Sequence, residues 1–185
     1  RMPQAHVSLV EGTTDRLLEQ LAQGDLDLVM GRAMPGGTEP GIETEPLYRD
    51  PIHMVARPDH PLLSRATLGW SDLRDYRWIV WPQGTPVRTA LEKALADAGQ
   101  TIPRDAVETN SVTSNLTLLN NSDMIGTASH RATLMLARLQ RLRILPLELP
   151  GYGSVSMYWR KDELHPQSVE AGLACIRQIS RDYES

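Results

Sequence analysis

The chain has 185 residues, 41% of them hydrophobic and 23% charged, with a formal net charge of -4. That is enough for one large domain or two small ones with a real core, and the acidic balance gives no general reason to bind nucleic acid. Cys175 is the only cysteine, which excludes an intrachain disulfide and a cysteine-rich zinc site and fits a reducing compartment; no apolar run nears the roughly 20 residues of a membrane span.

This sequence shows no signal peptide, but Met2-Pro3-Gln4-Ala5 runs directly into His6–Val10, an alternating strand pattern, so the chain opens in mid-element and reads as a fragment of a longer polypeptide. Thr13-Thr14-Asp15 suits a helix N-cap, and Leu17, Leu18 and Leu21 share the stripe that follows. Gly24 supplies the left-handed residue that closes this helix. Leu26 to Met30 predicts a strand covered on both faces. Gly31 turns the backbone out, and Arg32 emerges at the strand's carboxyl end, where ligands bind in open α/β sheets.

Residues 33–46 predict a loop, since Pro35-Gly36-Gly37 and Pro40-Gly41 punctuate them. Leu47 to Arg57 is extended, and Pro58-Asp59-His60-Pro61 marks a domain crossing. Trp78 to Trp81 is a short strand, followed by Thr85 as N-cap and Pro86 at the first helical position. Val87, Leu91, Ala94, Leu95 and Ala98 keep the helical period up to Gly99. Ala106–Thr109 is a strand, Asn110 or Ser111 caps a helix carrying Val112, Leu116 and Leu119, and Met124–Ala128 is a strand. Ala132–Gln140 is then a helix and Leu142–Leu147 a strand. Pro150-Gly151-Tyr152-Gly153 predicts a hairpin-like turn. Val155, Met157 and Trp159 alternate with Ser154, Ser156 and Tyr158, a strand with two unlike faces. Pro166 opens a last helix with a seam of Val169, Leu173, Ile176, Ile179 and Tyr183. A chain that leaves one lobe and returns to it predicts two lobes, 1–57 plus 154–185 and 58–153, with a cleft between them.

No histidine among His6, His53, His60, His130 and His165 has metal-ligand spacing, so these read as isolated surface or turn residues. Cys175 reads as a small buried thiol within the last helix. Trp70, Trp78, Trp81 and Trp159 read as core, and Arg131, Arg138, Arg141 and Arg143 as a solvated face. Without a nucleophile–base pair, a metal set or a cofactor motif, the chain is not expected to be an enzyme. Three predicted helix starts carry hydroxyls: Thr13, Thr85 and Ser111-Val112-Thr113. Each offers unpaired N–H groups and a positive dipole end, together an anion site. With Arg32, and with Pro86, Val87 and Arg88 in the first turn after Thr85, they form the candidate site for a small anionic effector, a carboxylate. Ordinary capping stands beside this reading, with Arg32 paired to Asp27 or Glu11 and Arg88 to Glu92.

Glu11-Gly12-Thr13, Leu17-Leu18 and Gly24-Asp25-Leu26-Asp27-Leu28-Val29-Met30-Gly31-Arg32 together resemble the effector-binding domain of LysR-type transcriptional regulators. Glu45-Pro46-Leu47-Tyr48, Val55, His60-Pro61-Leu62 and Ile79-Val80 before the Thr85-Pro86 helix continue the likeness across essentially the whole chain. The resemblance implies an α/β fold of periplasmic-binding-protein type II, two Rossmann-like lobes joined by two crossover strands, with the first strand and helix missing here. It also implies a cytoplasmic regulator that senses a small molecule between its lobes. Such a protein forms a homodimer or homotetramer and touches DNA only through an N-terminal helix-turn-helix domain absent from this sequence. Family members often carry Ala-Ala-Gly-x-Gly-Ile and a later proline where this chain has Asn120-Asn121-Ser122-Asp123-Met124-Ile125 and Ser129. The alternative is an extracytoplasmic solute receptor of the same fold class, which fold alone does not separate from a regulator.

Overall fold

The structure, a computed structural model, describes residues 6–33, 37–38, 40–147, 149, 153–161 and 166–181. The turn expected at 150–152 and the seam residue Tyr183 lie outside them, as do Pro35 and Gly36. In chain order the elements are α1 (Thr14–Gln23), β1 (Leu28–Arg32), β2 (Ile42–Arg49), β3 (Ile52–Ala56), β4 (Ile79–Val80), α2 (Pro86–Asp97), β5 (Val107–Glu108), α3 (Val112–Asn120), β6 (Gly126–Ser129), α4 (His130–Arg138), β7 (Arg143–Ile144), β8 (Ser154–Arg160) and α5 (Gln167–Arg181). Short 3-10 turns lie at Pro61–Ser64 and Trp70–Leu73. The chain forms two compact units, Arg1–Arg49 with Ser154–Ser185, and Asp50–Gly153.

In the first unit β8 is the middle strand, antiparallel to both β1 and β2. Its alternating residues meet two separate apolar layers. Met157 and Trp159 pack with Leu47, Val169 and Leu173, and Tyr158 packs with Leu17, Leu21 and Val29. Both faces of β8 are therefore buried, where two unlike faces are expected from the sequence. Gly24 closes α1 at φ 87, and the Arg160 guanidinium donates to the Leu21 and Leu26 carbonyls, both at 2.8 Å. A cation at these carbonyls complements the negative end of the helix. Gly31 admits the start of α1 against β1: a Cβ there would stand 2.6 Å from Thr14 Oγ1 and 2.9 Å from its Cγ2.

Several expectations change in this unit. His6–Val10 forms no strand and is exposed throughout, Leu9 by 90%. Its alternation matches a strand, but a strand needs a neighbour for its N–H and C=O groups. The loop expected over 33–46 ends earlier, because β2 begins at Ile42; Pro46 is absorbed where the pairing with β8 shifts register between Pro46 and Tyr48. Along α5, Val169 and Leu173 are buried, but Ile179 is half exposed while Ser180 is buried. Cys175 is exposed, not buried, one position off the Leu173–Ile176 stripe.

In the second unit β4 runs parallel to β5, and β3 lies antiparallel between β6 and β7. A parallel bridge between Trp78 and Ile125 joins the two ladders into the order β5-β4-β6-β3-β7. Because β3 pairs only within this unit, the first crossing falls at Arg49/Asp50 and not at residues 58–61. The Pro58–Pro61 break instead leads into a 3-10 turn. His60 is buried there, not on the surface, its Nδ1 accepting the Leu62 N–H and its Nε2 meeting the Asp123 carbonyl at 3.1 Å. Met54, Leu62, Leu73, Trp78, Leu91, Leu95 and Ile125 fill one side of the core, and Val55, Ile79, Leu119 and Leu136 another. The Trp78 indole N–H donates to the Leu73 carbonyl at 3.2 Å, so its polar atom is satisfied.

The end of α3 has no left-handed glycine. The side chains of Asn120, Asn121 and Ser122 donate instead to the carbonyls of Leu116, Thr117 and Leu118, at 2.8, 2.8 and 2.6 Å. Three side chains thus do what a C-terminal glycine motif does elsewhere.

Replacing Gly31 with valine is expected to destabilise the chain by about 1–3 kcal/mol, because the added carbons must displace Thr14. Urea denaturation of the variant, alone and combined with Thr14→Gly, checks this: the second substitution should recover part of the loss.

Candidate functional site

The expected site residues fall into two groups, one in each unit. In the first, Thr13 is the N-cap of α1 in extended conformation, but its side chain makes no capping bond. Thr13 instead hydrogen-bonds Asp15 and holds that carboxyl below its ordinary value. Arg32 ends β1 opposite Val155, and its carbonyl accepts from the Tyr158 hydroxyl at 3.3 Å. The start of α1 thus carries a carboxylate of its own.

In the second unit the arrangement is set by strand direction. β4 and β5 are parallel, and the Trp78–Ile125 bridge makes β6 parallel to β4. α2, α3 and α4 each follow one of these strands, so all three helices begin at the same edge of the sheet, the carboxyl edge. Thr85 caps α2: its hydroxyl donates to the Pro82 carbonyl at 2.7 Å and accepts the Arg88 N–H at 3.4 Å. Ser111 caps α3 by accepting the Ser114 N–H at 3.2 Å, and its own N–H donates to Thr109 Oγ1 at 3.0 Å. Each cap serves the third amide of its helix. The earlier ones, of Val87 after Pro86 and of Val112 and Thr113, lie in the first turn, where no helical carbonyl can reach them.

Arg88 is engaged within its own unit. Its Nε donates to Glu92 Oε1 at 2.7 Å, and one terminal nitrogen donates to the Trp81 carbonyl at 3.1 Å and Glu108 Oε2 at 3.4 Å. With 14% of its side chain exposed, it ties α2 to the ends of β4 and β5. The Glu92 pairing is the arrangement that the sequence sets against ligand contact.

The third helix start, that of α4, has no place among the expected residues. Ser129 caps it through the Ala132 N–H at 3.2 Å, and the buried Asp50 carboxylate accepts the Arg131 N–H at 3.0 Å. A carboxylate therefore already sits at one of the three helix starts on this edge. The pairing is hidden in the sequence because Asp50 and Arg131 are 81 positions apart. Thr127 Oγ1 on β6 and Asn115 Oδ1 on α3 are buried without a partner among the described residues. Leaving such oxygens unbonded costs about 1–3 kcal/mol each, so both are further ligand-contact candidates.

At the opposite end of α3 a shallow depression of about 410 Å³ is lined by Arg57, Asp59, Asn120, Asn121, Ser122 and Asp123. Arg57 there is paired with Asp59 and, at 2.7 Å, with Asp123, so its charge is already neutralised. Among the described residues no three His, Cys, Asp or Glu side chains come together as a metal-ligand set, and no helix is long and apolar enough to cross a membrane.

Two mixed α/β units, the second with three helix starts gathered at one sheet edge, make a frame of the kind that receives small molecules at strand ends and helix starts. The chain belongs to the LysR substrate binding domain family, whose pattern matches residues 1–181. It is 32% identical over 178 residues to the HTH-type transcriptional regulator GalR of Pseudomonas putida, covering 96% of this chain and 45% of that protein. It is likewise 32% identical over 175 residues to the HTH-type transcriptional regulator PcaQ of Agrobacterium fabrum, covering 94% of this chain and 56% of that one. The chain thus spans about half the length of the curated relatives it matches. In fold it is similar to the regulatory domain of Synechocystis CcmR solved with 2-PG, with a TM-score of 0.80 at 18% identity over 97% of this chain and 85% of that one. It is similar also to the effector-binding domain of QuiR solved with shikimate, with a TM-score of 0.73 at 17% identity over 92% of this chain and 79% of that one.

Thr85→Ala is expected to lower stability by about 0.5–2 kcal/mol, the range for losing an N-cap. Urea denaturation at neutral pH is the measurement. Because Thr85 is buried and also braces Pro82, Thr85→Ser should recover most of the loss.

Proposed function

We propose that this chain is the effector-sensing part of a LysR-type, DNA-binding transcriptional regulator in the cytoplasm, and that its effector is a small carboxylate. Membership of the family and the regulators among its relatives support the first half. One observation carries the second: α2, α3 and α4 start at one sheet edge, and the α4 start already holds a carboxylate, that of Asp50. The starts of α2 and α3 offer the same chemistry to a ligand, through the Val87, Val112 and Thr113 amides and the Ser111 hydroxyl, while Thr85, its own proton given to Pro82, holds the α2 start in place. An exposed helix dipole contributes only about 0.3–1 kcal/mol, so hydrogen bonds made away from water must supply most of the affinity. That the CcmR regulatory domain was solved with 2-PG and the QuiR effector-binding domain with shikimate supports a small-molecule ligand. Arg32 is the proposed charged partner in the first unit.

DNA contact is assigned to an N-terminal helix-turn-helix region outside this sequence, as the HTH-type relatives suggest. The extracytoplasmic receptor has no observation in its favour. Self-association is proposed through helix faces, as a homodimer or homotetramer. On α4, Leu134 and Met135 are 46% and 58% exposed, and Leu139 just beyond it is 64% exposed, more apolar surface than the core of its unit uses. Self-complementary contacts of this kind close as two-fold pairs.

The effector test is calorimetry on the intact regulator with carboxylates and their neutral isosteres. Arg32→Ala should weaken carboxylate binding about tenfold or more, the scale of one lost charge-assisted bond, and Thr85→Ala should weaken it by loosening the α2 start that Thr85 braces. Tight binding of the neutral isosteres, untouched by either substitution, would refute the assignment. Met135→Glu should shift the protein toward monomer in sedimentation velocity, and an unchanged distribution would remove α4 from the interface.

A further inference from the structure

His53 and His130 are 77 residues apart in sequence, yet His53 Nε2 lies 2.9 Å from His130 Nδ1 and the ring centroids are 5.1 Å apart. They are a pair, where the sequence predicts isolated histidines. A bond between two imidazole nitrogens needs one proton shared between the pair: one ring donates and the other accepts. A neutral pair keeps this bond, and so does a pair with one added proton, which goes to the donor ring's outer nitrogen; once both rings are imidazolium, both facing nitrogens carry hydrogen and the contact becomes a repulsion. Such a pair counts protons, and histidine counts them near neutral pH.

The pair stands where α4 is fastened to the segment entering β3. His130 is the first residue of α4, and its N–H donates to the Pro51 carbonyl at 2.7 Å. The next amide, of Arg131, donates to Asp50 Oδ1 at 3.0 Å, and the imidazole pair is the third link. Asp50 is itself anchored, its N–H donating to the Gly153 carbonyl. The charged groups set against the pair are Asp50, on the segment before β3, and Arg131, on α4. Opposite His53 on β6 stands Ala128, which has no charge, and β7 brings Arg143 only opposite Ala56.

We propose that His53 and His130 form a proton-operated latch on α4. In the neutral pair the N–H···N bond joins the helix start to β3. One added proton leaves that bond in place; when a second makes both rings imidazolium the bond breaks, and the His53 imidazolium turns to the Asp50 carboxylate, whose charge it feels. Asp50 then exchanges the Arg131 amide for the imidazolium, and the first turn of α4 loses two of its three links at once. The direction follows from the surroundings. Burial, reinforced by His130, holds His53 below its ordinary value near 6.5, and Asp50 opposes this without cancelling it. A basic group depressed in the fold leaves stability intact above the unfolded value and reduces it as pH falls below that value toward the folded one. The latch is therefore closed at neutral pH and opens in acid.

The test is amide hydrogen exchange on this 185-residue chain by NMR, with protection corrected for intrinsic exchange, between about pH 7.5 and pH 5. The amides of His130, Arg131 and Ala132 should lose about tenfold in protection over that range, while the α2 amides hold theirs. His53→Gln keeps a hydrogen-bonding side chain that takes no proton, and it should abolish the pH dependence. No loss at α4, an equal loss at α2, or a loss that persists in His53→Gln would overturn the proposal. Should that variant fail to fold, the imidazole Cε1–H resonances of the unaltered chain decide. Coupled titration of His53 and His130, with α4 protection following it, supports the latch. Two independent titrations that α4 protection ignores overturn it.

Discussion

The second unit depends on three short strands pointing the same way. Ile79 donates to the Ile125 carbonyl at 2.8 Å, Ile125 to that of Arg77 at 3.0 Å, and Thr109 to that of Val80 at 3.0 Å. These few bonds make β4, β5 and β6 parallel, and a parallel strand must be followed by a crossover that starts at its carboxyl end. Everything chemically useful in the unit follows from that: three helices begin along one edge, and their unpaired amides lie there together. The strands can be this short because the core behind them is dense, with Ile125 and Leu62 fully buried and Leu91 and Leu95 nearly so.

Within that frame, polar side chains fix the parts that backbone geometry leaves loose. Arg88 ties α2 to two strand ends, Arg160 holds the end of α1, and Asn120, Asn121 and Ser122 finish α3. Arg177 does the same for α5, binding both carboxylate oxygens of Glu45 on β2 while lying 5.7 Å from the Trp159 ring centre. Such pairs contribute modestly when exposed. Their larger effect here is geometric, since each one joins a helix to a named point of its sheet.

Local chemistry makes much of this legible from residues alone. Gly24, Thr85-Pro86 and Ser111 mark helix ends by steric and capping rules that act within a few residues, and the structure has helices ending or starting at each. What cannot be read depends on partners far away in sequence. The His6–Val10 pattern is a strand only if another strand lies beside it. β2 is masked by Gly41 and Pro46, whose breaking effect the register shift against β8 absorbs. β3 carries nothing in its own residues to say which unit it joins; pairing with β6 and β7 decides it. The helix starts at Thr85 and Ser111 are visible as candidate ligand contacts. The start of α4 is not, because its carboxylate and its histidine partner come from residues 50 and 53.

The exposed thiol on α5 gives the molecule a native point of attachment. Cys175 is the chain's only cysteine and lies in the first unit, whereas the helix starts of α2, α3 and α4 and the paired imidazoles all belong to the second. A maleimide dye or nitroxide would therefore react at a single position without any residue being removed. One cysteine introduced on the outer face of α4 would complete a pair of reporters, one on each unit, from which the distance between them could be followed as ligands are added.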